Sequence, residues 1–280
     1  MQWPSTACVP LAQLGRSLSA SLAFARRLAS GAPITDPVAL VVAHADDETL
    51  WAGGALPRLS GLILIHLTDS APADMADAAR LGFASRTAYA RARAEELAAA
   101  LAVLEVRPER RAYGIPDKEA VEHLPDLVAR LADDLKDVAA ILTHPYEGGH
   151  PDHDTAALAV RRAAERIGGR TGRMPALAEF ACYHQHAGAR RFGRFWPDAG
   201  CPEAARPLDP AERGRVARAL AAPRSPAAVI DGWCPQAERW RAAPAYDFTA
   251  PPPPGSSLYD GFGWSITAAQ WRRLAGAAAA

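Results

Sequence analysis

The residues best suited to chemistry lie in two short segments, the first of which covers residues 44–48. It places His44 beside three carboxylates, Asp46, Asp47 and Glu48. Carboxylates held this close raise one another's pKa and repel unless a cation lies among them. The segment is therefore a candidate site for a divalent metal. Taken alone, it is equally well described as the solvated first turn of a helix, where acids are favoured by the helix dipole.

The second segment covers residues 144–154 and contains three histidines and three acids around a Gly-Gly pair: His144, Glu147, His150, Asp152, His153 and Asp154. Two histidines and one carboxylate commonly hold a hydrolytic zinc ion and leave a fourth position for water. The two segments together therefore favour a metal site over two unrelated solvated loops.

Both segments follow short apolar runs that predict buried strands. PVALVVA covers residues 37–43 and VAAILT covers residues 138–143. Continuous apolar runs of this length are typical of parallel strands covered on both faces. Open α/β sheets bind ligands at the carboxyl ends of their strands, so we expect the two segments to meet at one edge of a sheet.

The rest of the chain alternates predicted strands (61–67, 110–115, 177–183) with predicted helices (11–29, 75–104, 120–136 and one starting near residue 154). This order predicts an α/β fold with a mostly parallel, Rossmann-like sheet flanked by helices. We divide the chain into a leading helical segment (1–36), an α/β core (37–187) and an irregular C-terminal extension (188–280) packed on the core. Within the extension, helices are predicted at 209–220 and 267–274.

Composition narrows the class of protein. Basic and acidic residues number 31 each, so no net charge attracts nucleic acid or an acidic membrane surface. No stretch approaches the roughly 20 apolar residues of a membrane-spanning helix, and residues 1–30 lack the apolar core of a signal peptide. A cytoplasmic protein is therefore expected. The four cysteines have no metal-binding or redox spacing and are predicted to be free thiols, while a monomer and a homo-oligomer both fit the sequence.

The motifs HADDE (residues 44–48) and GGHPDH (residues 148–153) together resemble the PIG-L and LmbE-like family of deacetylases. The family pattern is H-P-D-D-E followed by H-P-D-H, and the likeness extends over residues 37–185. Ala45 stands where the family usually has proline, which removes a backbone restraint but no ligand. The resemblance implies a metal-dependent hydrolase that removes an acetyl group from a small N-acetylated sugar or glycoconjugate of the N-acetylglucosamine type.

Carried over by position, the resemblance implies three ligands for Zn²⁺: His44, Asp47 and His153. Fe²⁺ is the alternative metal, since two imidazoles and a carboxylate hold both ions. Asp46 would be the general base, His150 would stabilise the oxyanion or protonate the leaving amine, and Asp152 would orient a neighbouring imidazole.

Further polar residues are candidates for the surroundings of this site. Those for substrate binding are Arg86, Arg93, Tyr146 and Glu147, and those for second-sphere support of the ligands are Glu48 and His144. Arg86 and Arg93 share one face of a predicted helix, although solvation or ion pairs to neighbouring glutamates would also explain them. Glu48 could equally be a first-turn acid, and His144 a histidine bonded to the backbone. His184 and His186 resemble a second metal pair, but no third ligand is evident nearby.

Rival functions make different demands on the fold. A non-haem Fe(II) oxygenase also uses two histidines and one carboxylate, but it predicts a barrel of many short strands rather than alternating strands and helices. A dinucleotide-binding module is disfavoured because no G-x-G-x-x-G follows the first strand. An amidase of the same family that acts on a larger acyl group or on a thiol-sugar conjugate is the main alternative.

Overall fold

A computed structural model describes residues 11–222 and 234–279. Within these residues the central β-sheet has seven strands: β1 (Ile34–Val42), β2 (Leu59–Pro72), β3 (Glu109–Asp117), β4 (Ala140–Thr143), β5 (Ala176–Phe180), β8 (Ala204–Pro207) and β9 (Ala237–Ala242). Their order in the sheet is β3-β2-β1-β4-β5-β9-β8. Strands β1 to β5 pair in parallel, whereas β9 and β8 are added antiparallel to the β5 edge. The prediction of a mostly parallel α/β sheet is confirmed.

Helices cover both faces of the sheet. They are α1 (Leu11–Ser30), α2 (Asp47–Ala52), α3 (Ala76–Arg80), α4 (Arg86–Val103), α5 (Leu124–Asp134), α6 (Pro151–Thr171), α7 (Pro210–Ala221) and α8 (Ala268–Ala279), with single 3₁₀ turns at Leu56–Arg58, Ala120–His123 and Leu258–Gly261. Along β1, Leu40 packs with α1, α4 and α7, and the next residue, Val41, packs with α5, α6 and α8. Alternate side chains of a strand point to opposite faces, so the continuous apolar run serves two separate cores.

The predicted helix over residues 75–104 is wrong, because it is interrupted. α3 ends at Arg80, and Gly82 follows with a positive φ of 80°, a conformation that glycine adopts without steric cost. α4 then begins after Ser85, whose hydroxyl accepts a hydrogen bond from the Ala88 backbone N–H at 3.1 Å. A glycine stop and a serine N-cap, both visible in the sequence, divide the segment into two helices.

The C-terminal region contributes more to the sheet than its sequence suggests. Strands β8 and β9 carry the sheet across the boundary that we set at residue 187, while β6 (Tyr183–His186) and β7 (Ala189–Phe192) form a separate hairpin. The predicted strand over residues 177–183 is correspondingly split between β5 and β6. The three-part division of the chain stays a prediction.

Three cysteines lie within the described residues and none of them is in a disulfide: Cys182, Cys201 and Cys234. Cys8, also predicted to be a free thiol, lies outside the described residues. No helix in the described part of the chain is both long and apolar enough to cross a membrane.

Candidate metal centre and active site

The carboxyl ends of β1 and β4 bring the two sequence motifs together. The strands pair in parallel through Leu40 and Leu142. Just beyond them, the His144 imidazole Nε2 accepts a hydrogen bond from the Ala43 backbone N–H at 3.1 Å. The segments at residues 44–48 and 144–154 therefore form one site, although about a hundred residues separate them.

The Asp47 carboxylate lies between the two histidines that the resemblance assigns to the metal. Its Oδ2 is 3.4 Å from His44 Nδ1, and its Oδ1 is 3.3 Å from His153 Nε2. Tetrahedral bonds of about 2.0–2.1 Å place neighbouring ligand atoms about 3.3–3.4 Å apart. The Trp51 indole N–H donates to Oδ1 at 3.3 Å and the His44 backbone N–H donates to Oδ2 at 2.8 Å, which fixes the orientation of the carboxylate. The donor set and its spacing fit a divalent metal.

His44 is the point where carboxylates converge. Its Nε2 is 2.9 Å from Asp117 Oδ1 and 3.2 Å from Asp152 Oδ2, while Nδ1 faces Asp47. Burial alone would lower the pKa of His44, but the three carboxylates, Asp117 foremost, outweigh it and raise the pKa well above its usual value. A metal ligand histidine typically coordinates through one nitrogen and donates its other N–H to a carboxylate. This arrangement lets Nδ1 face a metal while Nε2 donates to Asp117 and Asp152.

Asp46 stands next to the ligands in a strained conformation. Its φ of 148° is unusual for a residue with a side chain. The Arg93 guanidinium donates hydrogen bonds to the Asp46 carboxylate, at 2.8 Å, and to the Ala45 carbonyl oxygen. Burial raises the pKa of Asp46 to about 6, even though Arg93 opposes that shift. Glu48 is fully buried and accepts hydrogen bonds from the Asp46 backbone N–H and the His66 imidazole, both at 3.1 Å. It is therefore one contact removed from the ligands.

His150 is the N-cap of α6 and packs against His44 and His153. Its Nδ1 accepts a hydrogen bond from the Asp152 backbone N–H at 3.2 Å, so a neutral His150 carries its proton on Nε2, which lies 3.6 Å from Asp117 Oδ1. Burial, together with the neighbouring His44, lowers the pKa of His150 well below its usual value. Asp152 is held by the backbone N–H groups of Lys118 and Ala120, at 2.6 and 3.1 Å, and is in contact with His44.

His144 and Cys182 are buried and both contact His153. The His144 ring stacks on that of His153 with centroids 3.9 Å apart, and its Nε2 is 3.3 Å from Asp47 Oδ2. Burial, reinforced by His153, lowers the pKa of His144 to about 3. The Cys182 thiol lies 3.5 Å from His153 Nδ1.

Tyr146 and Glu147 have protein partners other than the expected metal ligands, and their contact with a substrate stays a prediction. The Tyr146 ring stacks on Trp271 and its hydroxyl donates to the Ala250 carbonyl at 2.8 Å. Glu147 is fully buried and belongs to a second set of charges, which we call the arginine network: Glu147, Glu179, Arg241 and Tyr246. The loop turns directly after these two residues, at Gly148, where φ is 68°.

The two arginine candidates also have protein partners. Arg86 donates to Asp69 at 2.5 Å and is partly exposed. Arg93 is buried and pairs with Glu96 at 2.7 Å as well as with Asp46. Arg93 thus holds the carboxylate of the expected base, and contact of either arginine with a sugar stays a prediction.

Asp117 and Cys182 are parts of the site that sequence reasoning missed. Asp117 is the last residue of β3, so the rule used for the two motifs, that ligands gather at the carboxyl ends of parallel strands, also applies to it. Cys182 follows β5 by two residues and carried no signal, since a single buried thiol usually belongs to the core.

The C-terminal segment is joined to the second motif. The Leu258 backbone N–H donates to the Gly148 carbonyl at 2.8 Å, and the Tyr259 hydroxyl donates to Asp154 Oδ2 at 3.1 Å. The Gly148 N–H in turn donates to Asp154 Oδ1 at 3.0 Å. A residue more than a hundred positions away thereby holds the loop that carries His150 and His153.

Comparison with known proteins supports the resemblance drawn from the motifs. Residues 39–164 match the PIG-L family, described as GlcNAc-PI de-N-acetylase. A Bacillus subtilis protein, probable N-acetyl-alpha-D-glucosaminyl L-malate deacetylase 2, is 30% identical over 143 residues, which is 46% of this chain and 61% of the relative. The matched residues of this chain include both motifs and all three expected metal ligands.

Two solved structures share the fold. The A40926 pseudoaglycone deacetylase Dbv21 superposes with a TM-score of 0.55 at 18% identity, covering 76% of this chain and 99% of its own. The zinc-inhibited form of teicoplanin deacetylase Orf2 superposes with a TM-score of 0.52 at 16% identity, covering 73% of this chain and 97% of its own. At these identities the likeness concerns the fold.

Proposed function

We propose that this chain, which carries a domain of the PIG-L family over residues 39–164, hydrolyses the acetamide of an N-acetylated amino sugar with the help of a divalent metal. The observation that carries the proposal is the position of Asp47 between His44 Nδ1 and His153 Nε2, with the strained Asp46 beside it. The parallel sheet and its helices disfavour the rival Fe(II) oxygenase, which would require a barrel.

His44, Asp47 and His153 are the residues that would hold the metal, and zinc is proposed with iron(II) as the alternative. A bound zinc ion would supply Lewis acidity, which polarises the acetyl carbonyl and makes a water molecule ionisable near pH 7. Asp117 and Asp152 accept the N–H of His44 and so keep the other ring nitrogen turned towards Asp47.

Asp46 is proposed to receive the proton of the attacking water. A base works best when its pKa lies near the working pH, and burial raises the pKa of Asp46 to about 6. Arg93 holds the carboxylate from the opposite side and prevents it from turning away. The strained backbone at residue 46 separates the direction of this side chain from that of Asp47.

His150 is proposed to stabilise the carbonyl oxygen as negative charge develops on it. The Asp152 backbone N–H occupies Nδ1, which leaves the Nε2 proton free to be donated. A preorganised donor of this kind is worth about 10²–10³ in turnover. The side chain is buried beside His44 and Asp117, so it does not need to reorganise.

The reaction balances with one water molecule. Its oxygen bonds to the acetyl carbon, and its proton passes to Asp46. The carbon–nitrogen bond then breaks, and the proton moves from Asp46 to the leaving nitrogen. The second proton of the water stays on the acetic acid formed and is lost from it at neutral pH, where the released amine takes up a proton. The products are therefore acetate and a protonated amino sugar, and the regenerated Asp46 carboxylate can begin another cycle.

The binding of the sugar is proposed from the aromatic side chain beside His150. The Trp264 ring lies 4.8 Å from that of His150, and the Lys118 ammonium lies 4.9 Å above the indole. An aromatic face suits the apolar side of a sugar ring. A larger acyl group or a thiol-sugar conjugate is the second candidate substrate, and both are included in the test.

The test is release of the carboxylic acid, and of the matching amine, from a panel of N-acetylated sugars, longer N-acyl analogues and thiol-sugar conjugates by protein reconstituted with zinc or iron(II). Asp46→Asn should keep its metal while turnover falls by about 10²–10⁴. Asp36→Asn is the matched control, since Asp36 is a half-exposed acid paired with Arg27, and it should behave like the parent. Unchanged turnover in Asp46→Asn would remove Asp46 from the mechanism.

A further inference from the structure

Aromatic side chains lead outward from His150 and His153, and we call them the aromatic arc: Tyr183, Phe192, Phe262 and Trp264. The Trp264 ring lies 4.8 Å from that of His150, and the Tyr183 ring lies 5.4 Å from that of His153. The Phe262 ring lies 4.8 Å from that of Trp264, and Phe262 is 38% exposed. The arc therefore joins the buried site to the surface, and the proposed function uses none of it beyond Trp264.

Two cations lie over rings of this arc. The Lys118 ammonium is 4.9 Å from the ring centroid of Trp264. The Arg190 guanidinium is 5.3 Å from the ring centroid of Phe262 and 5.7 Å from each of the two aromatic rings of the β6–β7 hairpin. Both cations are partly exposed. The arc therefore combines aromatic faces with positive charge where a ligand can reach them.

The neighbouring acids in the chain have partners of their own. Asp117, which precedes Lys118, is 2.9 Å from His44 Nε2. Asp260 accepts the Ala268 backbone N–H at 2.7 Å. Within the described part of the chain, the Lys118 ammonium contacts a ring and no carboxylate. A ring attracts a cation without neutralising it, so Lys118 can pair with an anion from outside the protein.

The backbone of Lys118 is held in an unusual conformation. Its φ of 74° lies in the left-handed region, which a lysine rarely adopts. Its N–H donates to Asp152 Oδ2 at 2.6 Å. Strained residues of this kind are found at active sites and ligand clamps. The second motif thereby fixes the position of Lys118 relative to the site.

We propose that the aromatic arc, together with Lys118 and Arg190, binds an aromatic acid carried by the N-acetylated sugar, that is, a flat ring that bears a carboxylate or another oxyanion. Aromatic side chains favour a flat ring in offset or edge contact, and an ammonium and a guanidinium pair with oxyanions. Because Trp264 contacts His150, the flat ring follows directly after the sugar. The inference rests on the proposed function, since it names a substituent of that substrate.

The binding test uses four glycosides of glucosamine, which lack the acetyl group and are not turned over. Their substituents are 4-carboxyphenyl, phenyl, 4-carboxycyclohexyl and cyclohexyl, so charge and aromaticity vary separately. In calorimetry with zinc-reconstituted protein, each acid should bind about 4- to 25-fold more tightly than its neutral analogue, since two exposed ion pairs contribute about 2- to 5-fold each. Each phenyl compound should bind about 2- to 10-fold more tightly than its cyclohexyl analogue. The preference for the acid should persist without metal, because neither cation is an expected ligand.

Variants assign these preferences to side chains. Lys118→Met and Arg190→Met should each reduce the preference for the acid by about 2- to 5-fold, and the double variant should abolish it. Lys136→Met and Arg191→Met are the matched controls, because both residues are exposed and Arg191 lies on the opposite face of β7 from its neighbour. Both controls should match the parent. Phe262→Leu should reduce the preference for the phenyl ring and leave that for the acid.

Equal binding of acid and neutral glycosides to the parent overturns the proposal, as does a preference for the acid that survives in the double variant. Equal binding of the phenyl and cyclohexyl acids overturns its aromatic part. The N-acetylated forms of the same glycosides separate the inference from the proposed function. Deacetylation of all four with equal kcat/KM overturns the inference and keeps the proposed function. The expected binding preferences without any acetate release refute the proposed function and keep the binding site.

Discussion

Two buried groups of charges each include a carboxylate from residues 144–154, Glu147 in one and Asp152 in the other, and they differ in the groups that neutralise their carboxylates. In the arginine network, Arg241 donates to Glu147 at 2.8 Å and to Glu179 at 3.1 Å, and Tyr246 donates to Glu179 at 2.9 Å. In the metal centre, the carboxylates of Asp47, Asp117 and Asp152 meet histidines instead. A permanent guanidinium makes the first group self-sufficient. In the second group the positive charge would come from protonated imidazoles, and a metal ion can take the place of those protons.

The comparison teaches that counting acids and histidines in a motif does not locate a metal. Glu147 lies between His144 and His150 in the sequence, yet its carboxylate is committed to Arg241 and to the Trp196 backbone N–H at 2.8 Å. Asp117 lies outside both motifs and contacts His44. A carboxylate that is paired with an arginine has a structural role, whereas one that contacts only histidines remains available to a metal.

The largest expected effect comes from removing an expected metal ligand, and it is compared with the removal of a histidine that lies beside the arginine network. His153→Ala should lose the metal and with it all measurable turnover, because only two of the three protein ligands remain. His184→Ala changes a buried histidine 3.2 Å from Glu147, and this variant should keep a full equivalent of bound metal. Elemental analysis of both variants checks this. Equal metal content in the two would show that the ligand assignment is wrong.

The next effect should appear in stability. Arg241→Met would leave Glu147 and Glu179 buried without their cation, and we expect a loss of about 3–5 kcal/mol in the free energy of unfolding. Arg239→Met is the matched control on the same strand, since Arg239 pairs with the partly exposed Glu203 and should cost no more than about 1 kcal/mol. Urea unfolding measures both, and similar losses would contradict the distinction.

A smaller effect tests the turn that separates the two groups. In Gly149→Ala, the added Cβ would overlap the Tyr183 backbone carbonyl oxygen, and accommodating it should cost about 1–3 kcal/mol. Gly214→Ala lies inside α7 with room for a methyl group and should stabilise the chain by about 0.5–1 kcal/mol. Thermal unfolding should move the two variants in opposite directions. A Gly149→Ala protein as stable as the parent would show that the loop can shift to accommodate the methyl group.

The smallest effect is a pH dependence within the arginine network. Burial raises the pKa of Glu179 to about 7, although Arg241 opposes the shift. The folded chain therefore keeps this proton at pH values where the unfolded chain, with a pKa of about 4.3, has lost it. The free energy of unfolding should fall as the pH rises through this window, by at most about 1.4 kcal/mol per pH unit.

Glu179→Gln removes this titration, so the difference between parent and variant should change with pH below 7 and become constant above it. Urea unfolding at intervals from pH 5 to pH 8 tests this. Parallel profiles for the two proteins would show that Glu179 does not hold a proton in the folded chain.

Sequence patterns predicted the parallel half of the fold and the meeting of the two motifs, because buried parallel strands leave long apolar runs. They did not predict β9, whose sequence AERWRA alternates charged and apolar residues over only six positions. From the sequence alone, Arg241 would be expected at the surface, because its buried partners Glu147 and Glu179 are distant in the chain. Likewise, the partnership of Arg93 with Asp46 joins residues 47 positions apart, which no local pattern reveals.

The bond from Tyr259 to Asp154 also sets the order in which the protein matures. These residues are 105 positions apart, and a ribosome adds about 5–20 residues per second. The nascent chain therefore carries His150 and His153 for about 5–20 seconds before the residue that secures their loop has been made. The loop is secured only after the strands of the central sheet have been synthesised.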